Sequence, residues 1–467
     1  MATRRGAASI QGGDGAALTP SPGASRFASL MNLLNNVVGA GLYSMPWVLM
    51  MASVLSGTAV TVLICLLNLA SFLLLADACE RTGTFSYLEL GRNAFGATFG
   101  EVAQFVCVCY TAGSLVSYVV LAGDCLVGKD TGLLSLALGS KSFLGGGSLA
   151  ARATVVYAVG AVAFVPLSMP RTIDALRYAS YLAFVGTLYG FVVVVYTAVA
   201  RPAAAYADDL GADDDGFPGA PVWAGFSLGV WQAVPIVNVA FTAHYNAPRY
   251  YFELRDRSVR RFGSVVATAM IGALAIYLGV AWAGYLAFRG ATLGDVLEDF
   301  DATYAPAIAI RASLLVILFA GFPKIAHSNR DGVARLALGK GSDDLDARTY
   351  TALTLAVCVT VLTLGAVCTQ VEVVLAYKGG VFGSIMVYII PPLVNTAARL
   401  DKAENAYVRL EAAHRAAAPP PKTPAAVARA MFRERRFAGN ALVFLWGTIS
   451  GPLAVVITVL KQTKVLA

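Results

Sequence analysis

Two short stretches of this 467-residue chain hold residue types that could bind a small charged molecule in apolar surroundings. The first runs Asn32-Leu33-Leu34-Asn35-Asn36-Val37-Val38-Gly39-Ala40-Gly41-Leu42-Tyr43-Ser44-Met45-Pro46: amides, then a Gly-Ala-Gly step, then a proline. The second runs from Trp231 to Pro248, carries Pro235 and Pro248, and is studded with Gln232, Asn238, Thr242, His244 and Asn246. Such residues interrupt a helix. Peptide N–H groups freed after Gly39 to Gly41 form a positive helix end suited to a carboxylate, while freed carbonyls such as those of Val37 and Val38 can hold a cation. An α-amino acid offers both partners. Glycines alone would equally serve a seam of closely packed helices; the neighbouring amides and the matching second break favour a binding site.

The elements that must position these stretches are apolar helices. Of all residues 57% are hydrophobic and 13% charged, against roughly 25% charged in an average soluble protein. Mean hydropathy is +0.67, and the 45 glycines allow close helix contacts. The chain therefore reads as an all-α membrane protein. A crossing helix needs roughly 20 apolar residues. On that ruler eleven transmembrane helices lie near 27–52, 54–78, 99–127, 151–168, 178–200, 223–248, 262–288, 306–328, 350–370, 372–396 and 437–460. The two interrupted stretches fall in helices 1 and 6, each the first of a group of five. Interrupted segments at matching positions point to an inverted-repeat transporter with its site at mid-membrane.

The predicted organisation is a disordered tail over 1–25, a first repeat over 26–200 (helices 1 to 5) and an outward loop over 201–222 holding Asp208, Asp209, Asp213, Asp214 and Asp215. A second repeat over 223–396 (helices 6 to 10), a cytoplasmic linker over 397–436 around Pro419-Pro420-Pro421, and helix 11 with its tail over 437–467 complete it. With the amino terminus inside, 25 of the 35 Lys and Arg residues fall on the cytoplasmic side and seven on the other, as retention of basic loops requires. The net charge of +7 forms no basic stripe with interleaved aromatics, so nucleic acid is not an expected partner. Five of the seven cysteines lie inside apolar spans, without a CxxC or Cys/His cluster. Neither disulfides nor zinc are expected. The first 25 residues lack the apolar core of a cleavable signal peptide.

The string Asn32 to Trp47 resembles the first helix of the amino acid/auxin permease family, which includes sodium-coupled neutral amino acid transporters. Phe241-Thr242-Ala243-His244-Tyr245-Asn246-Ala247-Pro248 with Tyr251-Phe252-Glu253-Leu254 resembles that family's sixth helix and following loop, and Phe322-Pro323-Lys324 through Asn329-Arg330-Asp331 the end of its eighth. The resemblance covers about residues 26–460. It implies a five-plus-five inverted repeat with discontinuous helices 1 and 6, helix 11 being an addition, and alternating access around a site between helices 1, 3, 6 and 8. It also implies a sodium-binding asparagine at Asn35, cation-binding carbonyls at Val37 and Val38, and a carboxylate-binding turn at Gly39, Ala40 and Gly41. The unwound part of helix 6 falls on Val239, Ala240, Phe241 and Thr242, with carbonyls for the substrate amine and Phe241 shaping the side-chain pocket.

One departure stands out. The sodium-coupled branch supplies a helix-8 hydroxyl shortly before the proline matching Pro323, but this chain reads Leu318-Phe319-Ala320-Gly321-Phe322-Pro323. The nearest hydroxyl, Ser313, lies roughly 15 Å away along a helix, which weakens sodium as the coupling ion. Lys324 instead could stand in for the ion or carry a coupling proton, or it could snorkel to water from the helix end. His244 could shuttle protons or be a structural histidine. His327 is either a relay partner of Lys324 or interfacial, and Asp124 either lines a vestibule or is solvated. Arg311, Glu372 and Lys378 are placed near span ends, pairing with one another or reaching headgroups. Tyr110 and Ser114, one turn apart on helix 3, line the pocket or simply pack.

The expected activity is therefore secondary active transport of amino acids, symport with a proton or sodium ion and no other cofactor. The apolar residues at both breaks, with no acid beside them, suit neutral side chains. The alternative is an amino-acid sensor of the same fold signalling through cytoplasmic segments. An enzyme is not expected, since neither GxSxG nor HExxH occurs, and a channel fits the two breaks poorly. The acidic loops suit a plasma membrane or a vacuolar or lysosomal membrane equally.

Overall fold

In the computed structural model, residues 23–128, 132–139, 141–145, 147–171, 177–200, 205, 220–225, 227–411 and 423–462 are described. Most of the predicted tail, most of the acidic loop and the Pro419 to Pro421 part of the linker lie outside the described residues. Among those described, nine helices are long and apolar enough to cross a membrane: Val54–Thr82, Ala97–Val127, Leu149–Ser168, Leu182–Ala200, Val259–Ala291, Ala305–Leu338, Ala347–Val367, Val371–Leu400 and Arg435–Leu460. The two predicted spans missing from this set are the interrupted ones, whose pieces are individually too short.

Helix α1 (Arg26–Val37) starts on Ser25, whose hydroxyl accepts the Ala28 N–H at 3.2 Å. It ends where Val38 turns extended; Gly39 follows extended, a 3-10 turn spans Ala40–Ser44, and α2 (Met45–Ala52) resumes with Pro46 in its first turn. Proline is tolerated there because its missing N–H has no partner within the helix. Next come α3 (Val54–Thr82), α4 (Tyr87–Phe95), α5 (Ala97–Val127), α6 (Leu133–Leu138), α7 (Leu149–Val159), α8 (Val165–Ser168) and α9 (Arg177–Ala200).

The second break repeats this local grammar. Helix α10 (Gly229–Phe241) runs through Pro235 and stops at Thr242, which is extended; a 3-10 turn spans His244–Asn246, and α11 (Ala247–Glu253) resumes with Pro248 in its first turn. The chain continues through α12 (Val259–Phe288), α13 (Ala305–Leu338), α14 (Ala347–Val367), α15 (Val371–Tyr377), π-helical turns over Lys378–Gly383 and Ile385–Ile389, α16 (Ile390–Glu411), α17 (Pro424–Arg433) and α18 (Ala438–Gln462).

Packing places the broken pairs inside. Helix α10 is flanked by α2, α3, the first π-helical stretch and α18, while α5 and α13 pack along each other and α12 lies against α1, α2 and α3. Glycine permits a tight pass here: a Cβ on Gly379 would sit 2.3 Å from the Pro235 carbonyl oxygen. Nearly every residue of α10 is buried, so its break opens into protein, the only place at membrane depth where irregular backbone is tolerated without water.

Candidate functional site

The breaks touch. A Cβ built on Gly41 would lie 3.8 Å from the Ala240 Cβ, an ordinary van der Waals contact. Between them stands a residue that sequence reasoning missed, Tyr277 of α12, whose hydroxyl is 2.7 Å from the Val37 carbonyl oxygen and 2.9 Å from that of Ala240. Asn36 adds a second tie, its Oδ1 accepting the Tyr245 hydroxyl at 2.8 Å; Asn35, the predicted ligand, is half-buried on the neighbouring face of α1.

The unwinding of the sixth predicted span is displaced from its expected place. Val239, Ala240 and Phe241 form the last turn of α10, and the extended backbone comes at Thr242. The cause is local: the Thr242 hydroxyl donates to the Asn238 carbonyl at 2.6 Å and its N–H to that of Val239 at 3.2 Å, closing the turn before the chain departs. Phe241 is fully buried, its ring edge-on to Tyr277 with centroids 5.2 Å apart. Tyr110 is buried 6.1 Å from the Tyr245 ring. His244 is fully buried, its ring 3.8 Å from that of Phe72, and neither ring nitrogen has a hydrogen-bond partner among the described residues.

On α13 the gap left by the missing hydroxyl is filled from α5. A Cβ on Gly321 would meet the Tyr118 ring at 2.7 Å and its hydroxyl at 3.0 Å, and the same hydroxyl is 3.6 Å from where a Cβ of Gly39 would stand. Tyr118 thus lies between the first break and α13. Ser313 is turned away, donating to the Ala309 carbonyl at 2.8 Å. Lys324 is half-buried near the middle of α13, which runs unbroken through Pro323 to Leu338, so of its two expected placements the one at the helix end does not hold.

That extra length corrects other placements. His327 pairs with Arg330 at 2.9 Å, not with Lys324. Arg330 is buried and donates to the Ser168 carbonyl at 2.8 Å and the Thr354 hydroxyl at 3.0 Å, its guanidinium 4.1 Å over the Tyr350 ring. Asp124 is not solvated: it pairs with Arg152, which also donates to the Val120 carbonyl at 2.8 Å.

Nor do Arg311, Glu372 and Lys378 pair with one another. Arg311 donates to the Leu297 carbonyl at 2.7 Å, and Glu372 packs against Gly294. Lys378 is buried inside the Val371–Leu400 span, its ammonium 3.1 Å from the Ser114 hydroxyl and 5.5 Å from the centre of the Tyr110 ring. Its signal in the sequence is a lone lysine followed by Gly379-Gly380 inside an apolar run. A buried network of Asn68, Asn238 and Tyr388 adjoins it: the Tyr388 hydroxyl is 2.7 Å from Asn238 Oδ1, and Asn238 Nδ2 donates to the Gly379 carbonyl at 3.3 Å.

A family model described as transmembrane amino acid transporter protein matches residues 22–410. Sodium-coupled neutral amino acid transporter 7 of Xenopus laevis is 27% identical over 313 residues, 66% of this chain and 65% of that protein. Vacuolar amino acid transporter 5 of Schizosaccharomyces pombe is 24% identical over 373 residues, 78% of this chain and 82% of that protein. The putative sodium-coupled neutral amino acid transporter 11 of Danio rerio is 26% identical over 368 residues, 77% of this chain and 76% of that protein. The match to the frog relative thus spans just under two thirds of its length.

Proposed function

Given that the chain belongs to the transmembrane amino acid transporter family, we propose that it is a secondary active carrier of neutral amino acids, working by alternating access and coupled to a proton or sodium ion. The observation that carries this reading is the meeting of two interrupted helices at Gly41 and Ala240. In it, the two broken pairs join the nine long helices as helices 1 and 6 of an eleven-span, five-plus-five inverted repeat. The amino terminus faces the cytoplasm, because that orientation keeps most basic loops inside.

The amides of Gly39, Ala40 and Gly41 receive the substrate carboxylate and the carbonyls of the last turn of α10, Val239 to Thr242, its amine. Tyr110, Ser114 and Phe241 bound the side-chain pocket. Because the Tyr277 hydroxyl occupies the Val37 and Ala240 carbonyls, it must swing aside when an amine or a cation arrives. Asn35 with the Val37 and Val38 carbonyls is the cation position, and Lys324 and His244 are the titratable candidates. Neutral side chains fit because the second break is bordered by the phenols of Tyr110, Tyr245 and Tyr277 and the His244 imidazole, while the carboxylate near the first, Asp295, sits beside Val296, whose N–H holds the Tyr43 carbonyl at the far end of that turn.

The test is counterflow in proteoliposomes preloaded with a neutral amino acid, using a panel of radiolabelled amino acids with and without sodium and with an imposed pH gradient. Accelerated exchange of neutral amino acids supports the carrier; binding without exchange would favour the sensor reading.

A further inference from the structure

Lys378 is the charged side chain that the site described above leaves without a task. It opens the π-helical stretch Lys378–Gly383, and π-helical turns gather at functional sites. The side chain is 6% exposed and crosses Gly113 of α5, where a Cβ would meet the Lys378 Cβ at 3.0 Å. The Nζ atom is 3.1 Å from Ser114 Oγ and 3.5 Å from Ser117 Oγ. Both hydroxyls spend their protons on backbone, Ser114 on the Tyr110 carbonyl at 3.0 Å and Ser117 on that of Gly113 at 2.9 Å, so each turns lone pairs toward the nitrogen. The site is built to receive N–H donors.

No carboxylate of the described residues lies within ion-pairing distance. On α5 the facing titratable group is Tyr110, ring face toward the nitrogen, and Asp124 further along is paired with Arg152. On α15 Glu372 packs against Gly294. In the second π-helical turn, the Tyr388 hydroxyl is engaged with Asn238. Helix α10 has no ionisable residue, and α18 none before Lys461. A buried ammonium lacking an anion is costly at membrane depth, and such residues mark ion or proton pathways. Lysine suits that task because its amine can release the proton, which arginine does not.

The position reaches the second break. One face of Tyr110 looks at Nζ while its ring lies 6.1 Å from that of Tyr245 in the second break, and Gly379, next to the lysine, packs on the Pro235 carbonyl of α10. A charge appearing on Nζ draws the Tyr110 ring face toward it, and with it the start of the unwound segment.

We propose that Lys378 carries the coupling proton: its amine lone pair takes a proton from water when the pocket opens to one side and returns it to water on the other, with no other bond made or broken. This rests on the transport reading.

The test uses the full chain in vesicles of phosphatidylcholine and phosphatidylglycerol loaded with a pH-sensitive dye, with whichever radiolabelled neutral amino acid exchanges fastest. The wild type is expected to acidify or alkalinise the lumen as substrate enters or leaves, and to accumulate label about tenfold along a pH gradient of one unit, the limit that one proton per substrate sets. Lys378→Met and Lys378→Arg are expected to lose both signals while still exchanging label. Gradient-driven accumulation by Lys378→Met, or wild-type exchange with no proton signal, overturns the proposal and leaves the carrier standing; no exchange by the wild type overturns the carrier itself. Should both variants fail to fold, Ser114→Ala, which keeps the lysine but removes an acceptor, is expected to move the pH midpoint of gradient-driven uptake downward. An unmoved midpoint overturns the assignment.

Discussion

The Tyr277 hydroxyl lies 2.7 Å from the Val37 carbonyl oxygen, at the point where the first helix breaks. It reaches the Ala240 carbonyl at 2.9 Å as well, so one phenol serves acceptors on both interrupted helices. Removing one partner of a buried hydrogen bond strands the other at about 1–3 kcal/mol. Tyr277→Phe keeps the ring that packs on Phe241 and deletes only this oxygen. The expected outcome is a lower melting temperature in detergent with the helical content unchanged, and an unaltered melting curve would show that the carbonyls find other partners.

Gly41 and Gly379 look alike in sequence and are expected to behave differently. A Cβ at Gly41 meets Ala240 at 3.8 Å, whereas one at Gly379 meets the Pro235 carbonyl oxygen at 2.3 Å. Backbone cannot yield as a side-chain tip can, and overpacking of this kind costs about 1–3 kcal/mol. Gly41→Ala should therefore fold like the wild type and Gly379→Ala should not, as monodispersity in size-exclusion chromatography will show. Gly41→Leu should fold but stop uptake, because its larger side chain fills the junction of the breaks. Equal behaviour of the two alanine variants would contradict the packing.

Much of this arrangement was legible in the sequence, because the breaks are written in local residue types. The Gly-Ala-Gly step before Pro46 and the Thr242 to Pro248 stretch announce themselves without tertiary information. The exact point of unwinding did not, since it is set by the Thr242 hydroxyl folding back onto the Asn238 carbonyl. Tyr277 was invisible because a tyrosine in an apolar helix carries no sign of which carbonyls it will meet 240 and 37 positions away. The burial of Lys378 was not legible because its partners, Ser114 and Tyr110, lie on α5 more than 260 positions away, and that of Arg330 because α13 outlasts its apolar stretch.

Tyr118 and Gly321 form a coupled pair. The ring of Tyr118 stands 2.7 Å from where a Cβ of residue 321 would be, so the absence of a side chain on α13 and the presence of a phenol on α5 depend on each other. Gly321→Ala alone displaces the ring; Tyr118→Ala alone leaves a cavity. In the double variant the added methyl group enters the space vacated, and the two costs should fall short of their sum by about 0.5–3 kcal/mol, the range for residues in contact. A double-variant cycle on denaturant unfolding measures this, and strict additivity would place the ring elsewhere.

The loop between α12 and α13 makes stability depend on pH. Burial, with neighbouring carboxylates adding to it, pushes Asp295 up to about 7 against the opposing pull of the Leu297 N–H. Glu298 reaches the surface, yet desolvation of its carboxylate on the protein side, then the charge of Asp295, raises it as well. Burial likewise raises Asp299 well above the ordinary range although the Leu293 N–H donates to it. Unfolded, these acids titrate near pH 4. Between about pH 4 and the raised values the folded chain therefore holds protons that the unfolded chain has lost, and stability falls as pH rises through that window. The melting temperature is expected to be higher at pH 5 than at pH 8. Asp295→Asn, Glu298→Gln and Asp299→Asn together should flatten the difference by fixing all three groups in the uncharged form. Melting curves across this range decide the matter: a temperature that climbs toward pH 8 would mean that these carboxylates are ionised in the folded protein, and a slope that survives all three substitutions would place its origin in other groups.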